Sequence, residues 1–154
     1  MSIRRTRAAA ASILVSLALT AGTSPAWAIS FGRYEKVAAH DGTVSITMSR
    51  LADGKVHFYR YIDSGKEIAF FAVKASDGRY RTAFDACDSC YRSKKGYEQQ
   101  GDKMNCRNCN QKFAIAKLGP NATGGCNPGY LPNQVSNNSI LIKVDDLKAG
   151  TRYF

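Results

Sequence analysis

Apolar and polar positions alternate through the first half of the chain with the two-residue rhythm of strands covered on one face. Val44, Ile46 and Met48 share a face, with Ser45 and Thr47 between them, and Ala52-Asp53-Gly54-Lys55 supplies turn chemistry after them. A hairpin is expected there. The run Val56 to Ile62 is rich in β-branched and aromatic residues and reads as the next strand, closed by the turn Ser64-Gly65-Lys66. From Glu67 to Lys74 the alternation is lost, because Ile68 to Val73 is apolar throughout, which predicts a strand covered on both faces. Asp77-Gly78 then turns the chain into a strand over Arg79 to Phe84. These runs predict an antiparallel β-meander.

Beyond Phe84 the texture changes to cysteine, glycine and asparagine with short strands between them. Tyr97 to Gln100 and Lys103 to Cys106 flank a Gly101-Asp102 turn and predict a small hairpin, and Lys112 to Leu118 predicts another strand. Gly119 to Asn138 is rich in glycine, proline and asparagine and is expected to be irregular. Ser139 to Val144 alternates again and is expected to return to the first sheet. Asp88 to Lys95 suits a single helical turn, and no longer helix is predicted. The expected fold is therefore mainly β, an antiparallel meander packed against a cysteine-rich loop and hairpin region that binds metal.

Composition adds a compartment. Arg4, Arg5 and Arg7 precede an Ala/Leu-rich run from Ala8 to Ala21, and the small residues end in Ala26-Trp27-Ala28. That is the three-part pattern of a secretory signal, with cleavage expected after Ala28. An uncleaved anchor is the alternative, since the apolar character continues to Ala28. Arg4-Arg5 also admits the twin-arginine export route, although the residues after the pair are not the bulky apolar ones that route favours. Residues 1–28 are thus assigned to a signal peptide and residues 29–154 to one domain in a periplasmic or other extracytoplasmic space. The formal net charge of +10 includes the three leader arginines. Export argues against nucleic acid as the partner of that charge, which instead reflects solubility or attraction to an anionic membrane surface or an acidic protein.

The chemistry is concentrated in cysteines. Cys87/Cys90 and Cys106/Cys109 form two C-x-x-C pairs separated by Tyr91 to Asn105, which is the spacing of a four-thiolate metal site. Two intervening residues let a tight knuckle aim both sulfurs at one ion while its N–H groups face the thiolates. Asn110 follows the second pair, where such a knuckle calls for a positive φ that asparagine tolerates. Disulfides or a redox dithiol are the rival reading in an oxidising compartment, but five cysteines cannot all pair within the chain. The motifs lack the histidine of covalent haem attachment. Zinc, a single iron and an iron–sulfur cluster all suit four thiolates, and spacing does not separate them. Cys126, in Gly124-Gly125-Cys126-Asn127-Pro128, is either a further ligand, a neighbour of the ligands, a redox partner or a simple buried thiol.

Phe84-Asp85-Ala86-Cys87-Asp88-Ser89-Cys90-Tyr91, Lys95-Gly96-Tyr97, Cys106-Arg107-Asn108-Cys109 and Gly124-Gly125-Cys126-Asn127-Pro128 together resemble the FtrD-like family of membrane-associated iron–sulfur-containing proteins. The resemblance runs in order from about Val44 to Phe154. It implies an extracytoplasmic domain linked to bacterial iron transport, with Cys87, Cys90, Cys106, Cys109 and Cys126 as metal or cluster ligands. It also implies an iron–sulfur cluster or iron as the cofactor, with zinc as the alternative. Some relatives carry this domain beside several membrane spans. Here a separate membrane-embedded transport or redox partner is expected instead.

Other chemistry is thinly represented. His40 and His57 are the only histidines, and His57 reads as an ordinary strand residue. Asp85 and Asp88 flank the first knuckle and are expected to shape its loop. No Ser-His-Asp set or carboxylate pair stands out, so a hydrolase is disfavoured. The sequence thus favours an electron-transfer or metal-handling accessory over a stand-alone enzyme, with a zinc-stapled binding module and a thiol–disulfide protein as the alternatives.

Overall fold

The structure, a computed structural model, describes residues 32–154. The expected signal peptide at 1–28 and its cleavage site lie outside the described residues. In chain order the strands are β1 (Glu35–Val37), β2 (Thr43–Thr47), β3 (His57–Asp63), β4 (Lys66–Lys74) and β5 (Tyr80–Phe84). They are followed by β6 (Tyr97–Gln100), β7 (Lys103–Cys106), β8 (Lys112–Ala114), β9 (Gln134–Ser136), β10 (Ser139–Lys143) and one short helix, α1 (Val144–Ala149).

β4 organises the molecule. Its side chains point alternately to opposite faces, and both faces are apolar, so each must be covered. Ile68, Phe70 and Ala72 enter one core with Val44 and Ile46 of β2, Ile140 and Ile142 of β10, and Leu147 of α1. Phe71 and Val73 enter a second core with Tyr97 of β6 and Met104 and Cys106 of β7. The four-stranded sheet, in the order β1-β3-β4-β5, therefore lies between two three-stranded sheets, β2-β10-β9 and β6-β7-β8. The mainly β fold, the doubly covered strand and the β6-β7 hairpin match the expectation from sequence. Phe70 and Phe71 are fully buried on opposite sides, and truncating either to alanine is expected to cost about 3–5 kcal/mol.

Two pairings and one strand length differ from expectation. β2 does not form a hairpin with β3. The chain leaves β2 into a 3-10 turn at Met48–Leu51, whose buried Leu51 anchors it to the core, and crosses to the central sheet. β2 instead pairs antiparallel with β10, with Ile46 opposite Ile140 and Val44 opposite Ile142. The segment expected to rejoin the meander thus completes a separate sheet with β2, and the apolar alternation of both strands faces the same core. β1, a strand of three residues, adds to the meander edge parallel to β3. β8 is shorter than the predicted Lys112–Leu118 strand, because Ile115–Lys117 turns as a 3-10 helix that buries Ile115.

α1 was not expected. Its six residues are too few for a helical period, yet Asp145 and Asp146 in its first turn and Lys148 in its last suit the helix dipole. The predicted single turn near Asp88–Lys95 is present as a 3-10 helix at Tyr91–Ser93. Among the described residues no helix is long and apolar enough to cross a membrane.

Candidate metal centre

Three loops converge at one end of the second core. The hairpin β6-β7 delivers the first of its cysteines at a fixed place, because Cys106 ends β7 directly opposite Tyr97. After Cys106 the chain folds into a knuckle: Asn110 N–H donates to the Cys106 carbonyl at 2.9 Å, and Asn110 itself has φ 60°. Cys109 and Asn108 direct their amides at the Cys106 sulfur, and Gln111 directs its amide at that of Cys109. This is the arrangement expected from the C-x-x-C spacing, with asparagine in the left-handed position.

The other two loops follow β5 and the irregular segment. Past Phe84, Cys87 is buried and Cys90 N–H donates to its sulfur at 3.1 Å, while Tyr91 N–H closes the turn on the Cys87 carbonyl at 3.1 Å. The third loop turns through Gly124 and Gly125, with φ values of 79° and 58°, conformations that a side chain would strain. Ser89 N–H donates to the Gly125 carbonyl at 3.2 Å and fastens this loop to the first knuckle. The Tyr97 hydroxyl donates to the Cys126 carbonyl at 2.6 Å and fastens it to β6.

The sulfurs of Cys90, Cys106, Cys109 and Cys126 all lie within 4.8 Å of one another. Cys87 is not in this group; it is 1% exposed and belongs to the second apolar core. Of the candidate ligands, the structure gathers one thiol of the first pair, both of the second and the glycine-flanked Cys126. All five are free thiols, and Cys90 and Cys126, at 3.4 Å, stand well beyond the S–S length of about 2.05 Å. Asn108 Nδ2 donates to the Cys90 sulfur at 3.4 Å.

Burial pushes the Cys106 thiol up to about 11, against the opposing pull of the Cys109 and Asn108 amides. Cys109, which is exposed, is brought down to about 7, first by the Gln111 amide and then by its hydrogen bond with Cys126. Cys126 is raised, first by that same bond to Cys109 and then by burial. Crowding several thiols at one point thus makes them share protons, and a bound cation would remove that conflict by favouring the thiolate at every position.

A polar support lies behind the thiols. Asp85 accepts the Tyr97 amide at 2.7 Å and the Tyr34 hydroxyl at 2.5 Å, and it faces the Arg33 guanidinium at 3.4 Å. Burial still raises its carboxyl to about 6. Gly96, at φ 64°, leaves room for this carboxylate, which a Cβ there would strike. The role expected for Asp85, shaping the loop, is what these bonds perform. Asp88 is similarly engaged by the Tyr153 hydroxyl at 3.0 Å and Arg152 at 3.2 Å. His57 meets Asp53 at 3.1 Å away from the thiols, and His40 is exposed beside Thr43. Residue type and spacing alone assign no working role to Arg33, Tyr34, Tyr97 or Asn108. The Lys95-Gly96-Tyr97 and Cys106-Arg107-Asn108-Cys109 motifs offer a signal for Tyr97 and Asn108.

A family model described as "Membrane iron-sulfur containing protein FtrD-like" matches residues 51–154. No curated protein matches the chain. The matched span includes every cysteine, and its all-sulfur donor set suits iron or zinc and not a hard oxygen-seeking cation.

Proposed function

Since the chain belongs to the FtrD-like family, we propose that it is an exported metal–thiolate protein serving a membrane-embedded iron-transport or redox partner by electron transfer or metal handling. The observation that carries this reading is the uneven burial of the four thiols. Cys106 is buried at 2% exposure, and Cys109 stands at the surface. Buried thiolates with backbone amides aimed at them hold a metal and tune it, and an exposed one gives a partner a short path to it. Arg92, Lys94, Lys95 and Arg107, exposed around the knuckles, favour an acidic docking face on that partner.

A zinc-stapled binding module is the second reading, favoured by the way the thiols join three loops. The two separate on one preparation. Protein isolated anaerobically from the exported fraction is analysed for metal and titrated with a reductant while its visible spectrum is followed. Iron with a reversible one-electron change supports the proposal. Zinc alone, with no reducible chromophore, favours the staple and contradicts the redox role.

A further inference from the structure

Taking the reading that these cysteines hold metal as its basis, we infer that the centre is mononuclear: one tetrahedral ion on Cys90, Cys106, Cys109 and Cys126, with Cys87 outside its ligand set. The argument is one of span. A metal–sulfur bond of about 2.3 Å places tetrahedral thiolates roughly 3.8 Å apart. The sulfurs here lie within 4.8 Å of one another, and Cys90 and Cys126 are 3.4 Å apart. Modest adjustment of these side chains encloses a single ion.

A sulfide-bridged cluster needs more room. Its thiolates are shared among two or more irons, which spreads the four sulfurs wider than a single ion does. The group as a whole, within 4.8 Å and with Cys90 and Cys126 at 3.4 Å, matches the narrower span of one ion. The family description is still satisfied, because one iron held by four cysteine sulfurs is itself an iron–sulfur centre without inorganic sulfide.

The surroundings agree with this ligand set. The second knuckle already supplies the amides that four compact thiolates need, and Asn108 adds a donor to Cys90. Cys126 is held from two sides, through the Gly125 carbonyl to Ser89 and through its own carbonyl to Tyr97. Cys87 shares the second core with Cys106 but lies outside the group of four sulfurs. It packs in the core with Phe71, Met104 and Ile115, and its sulfur accepts the Cys90 amide. Its place is to shape the first knuckle so that Cys90 points into the cage. The four ligand thiols bind as thiolates, and their protons pass to solvent.

The test uses the full chain, isolated anaerobically and stripped of metal, with cobalt(II) alone and then ferrous iron alone as probes and no sulfide added. The expected result is one metal per chain, a tetrahedral all-thiolate cobalt spectrum, and iron without acid-labile sulfide in protein taken directly from cells. Cys87→Ser is expected to keep that stoichiometry and spectrum, with Cys87→Ala as a second variant should serine disturb the core. Cys126→Ser is expected to weaken cobalt binding at least tenfold and change the spectrum. Two or more irons with labile sulfide, or loss of the tetrathiolate spectrum in both Cys87 variants with Cys126→Ser unaffected, overturns the mononuclear assignment and leaves the metal-binding reading standing. Failure of the wild-type chain to bind either metal overturns both.

Discussion

The sulfur of Cys126 stands 3.4 Å from that of Cys90, across 36 positions of sequence. That proximity ties the irregular glycine-rich segment to the loop after β5. It makes Cys126, and not Cys87, the partner of the second C-x-x-C pair in the thiol group.

Metal and fold should be linked through this group. Cys109 is exposed, so replacing it by serine in the metal-free protein is expected to change stability by no more than about 0.5 kcal/mol. In the metal-loaded protein the same change should lower the melting temperature clearly, because ligand energy is folding energy in such sites. Melting curves of wild type and Cys109→Ser, with and without a chelator, check this. Equal shifts under both conditions contradict it.

Tyr97→Phe removes the hydroxyl that holds the Cys126 carbonyl at 2.6 Å. The bond is expected to be worth about 1 kcal/mol to stability. Its loss lets the Gly124-Gly125 turn move, so metal affinity should fall further, by about tenfold or more. Competition with a calibrated chelator reads the affinity, and denaturant unfolding reads the stability. An unchanged affinity would mean that the turn holds Cys126 unaided.

Asp85 is a support whose value lies in its acceptors. Asp85→Ala leaves the buried Tyr97 amide without its partner and is expected to cost about 1–3 kcal/mol. Asp85→Asn keeps an oxygen for that amide, and it removes a carboxyl that burial has raised to about 6. It should fall between Asp85→Ala and wild type at neutral pH, because its amide nitrogen cannot accept from the Tyr34 hydroxyl or pair with Arg33. Comparison of the two variants by chemical unfolding separates the hydrogen bond from the charge.

How much of this was legible follows from the range of each signal. The two knuckles could be read because a C-x-x-C pair is a local pattern, and β4 because an apolar run reports burial on both faces. Cys126 stood out through its glycines. Which four of the five sulfurs gather could not be read, because spacing is silent on which sulfur turns toward the core and which toward the other loops. The β2–β10 pairing was not legible either: Ile46 and Ile140 meet across most of the chain, and the nearer Val56 to Ile62 run offered an equally good partner by pattern alone. Arg33 and Tyr34 carry no motif, and only the folded chain brings them to Asp85.

Export rests on Ala26-Trp27-Ala28. The protein recovered from the exported fraction is expected to begin at Ile29. N-terminal mass spectrometry checks this, and an intact stretch of residues 1–28 would show that the segment serves as an anchor.

X-ray absorption at the metal edge tests the central claim most directly, since it counts the neighbours of the ion. The account predicts four sulfur neighbours at about 2.3 Å and no second metal nearby. A second metal neighbour close to the first, or a coordination shell made mainly of nitrogen and oxygen, would contradict it.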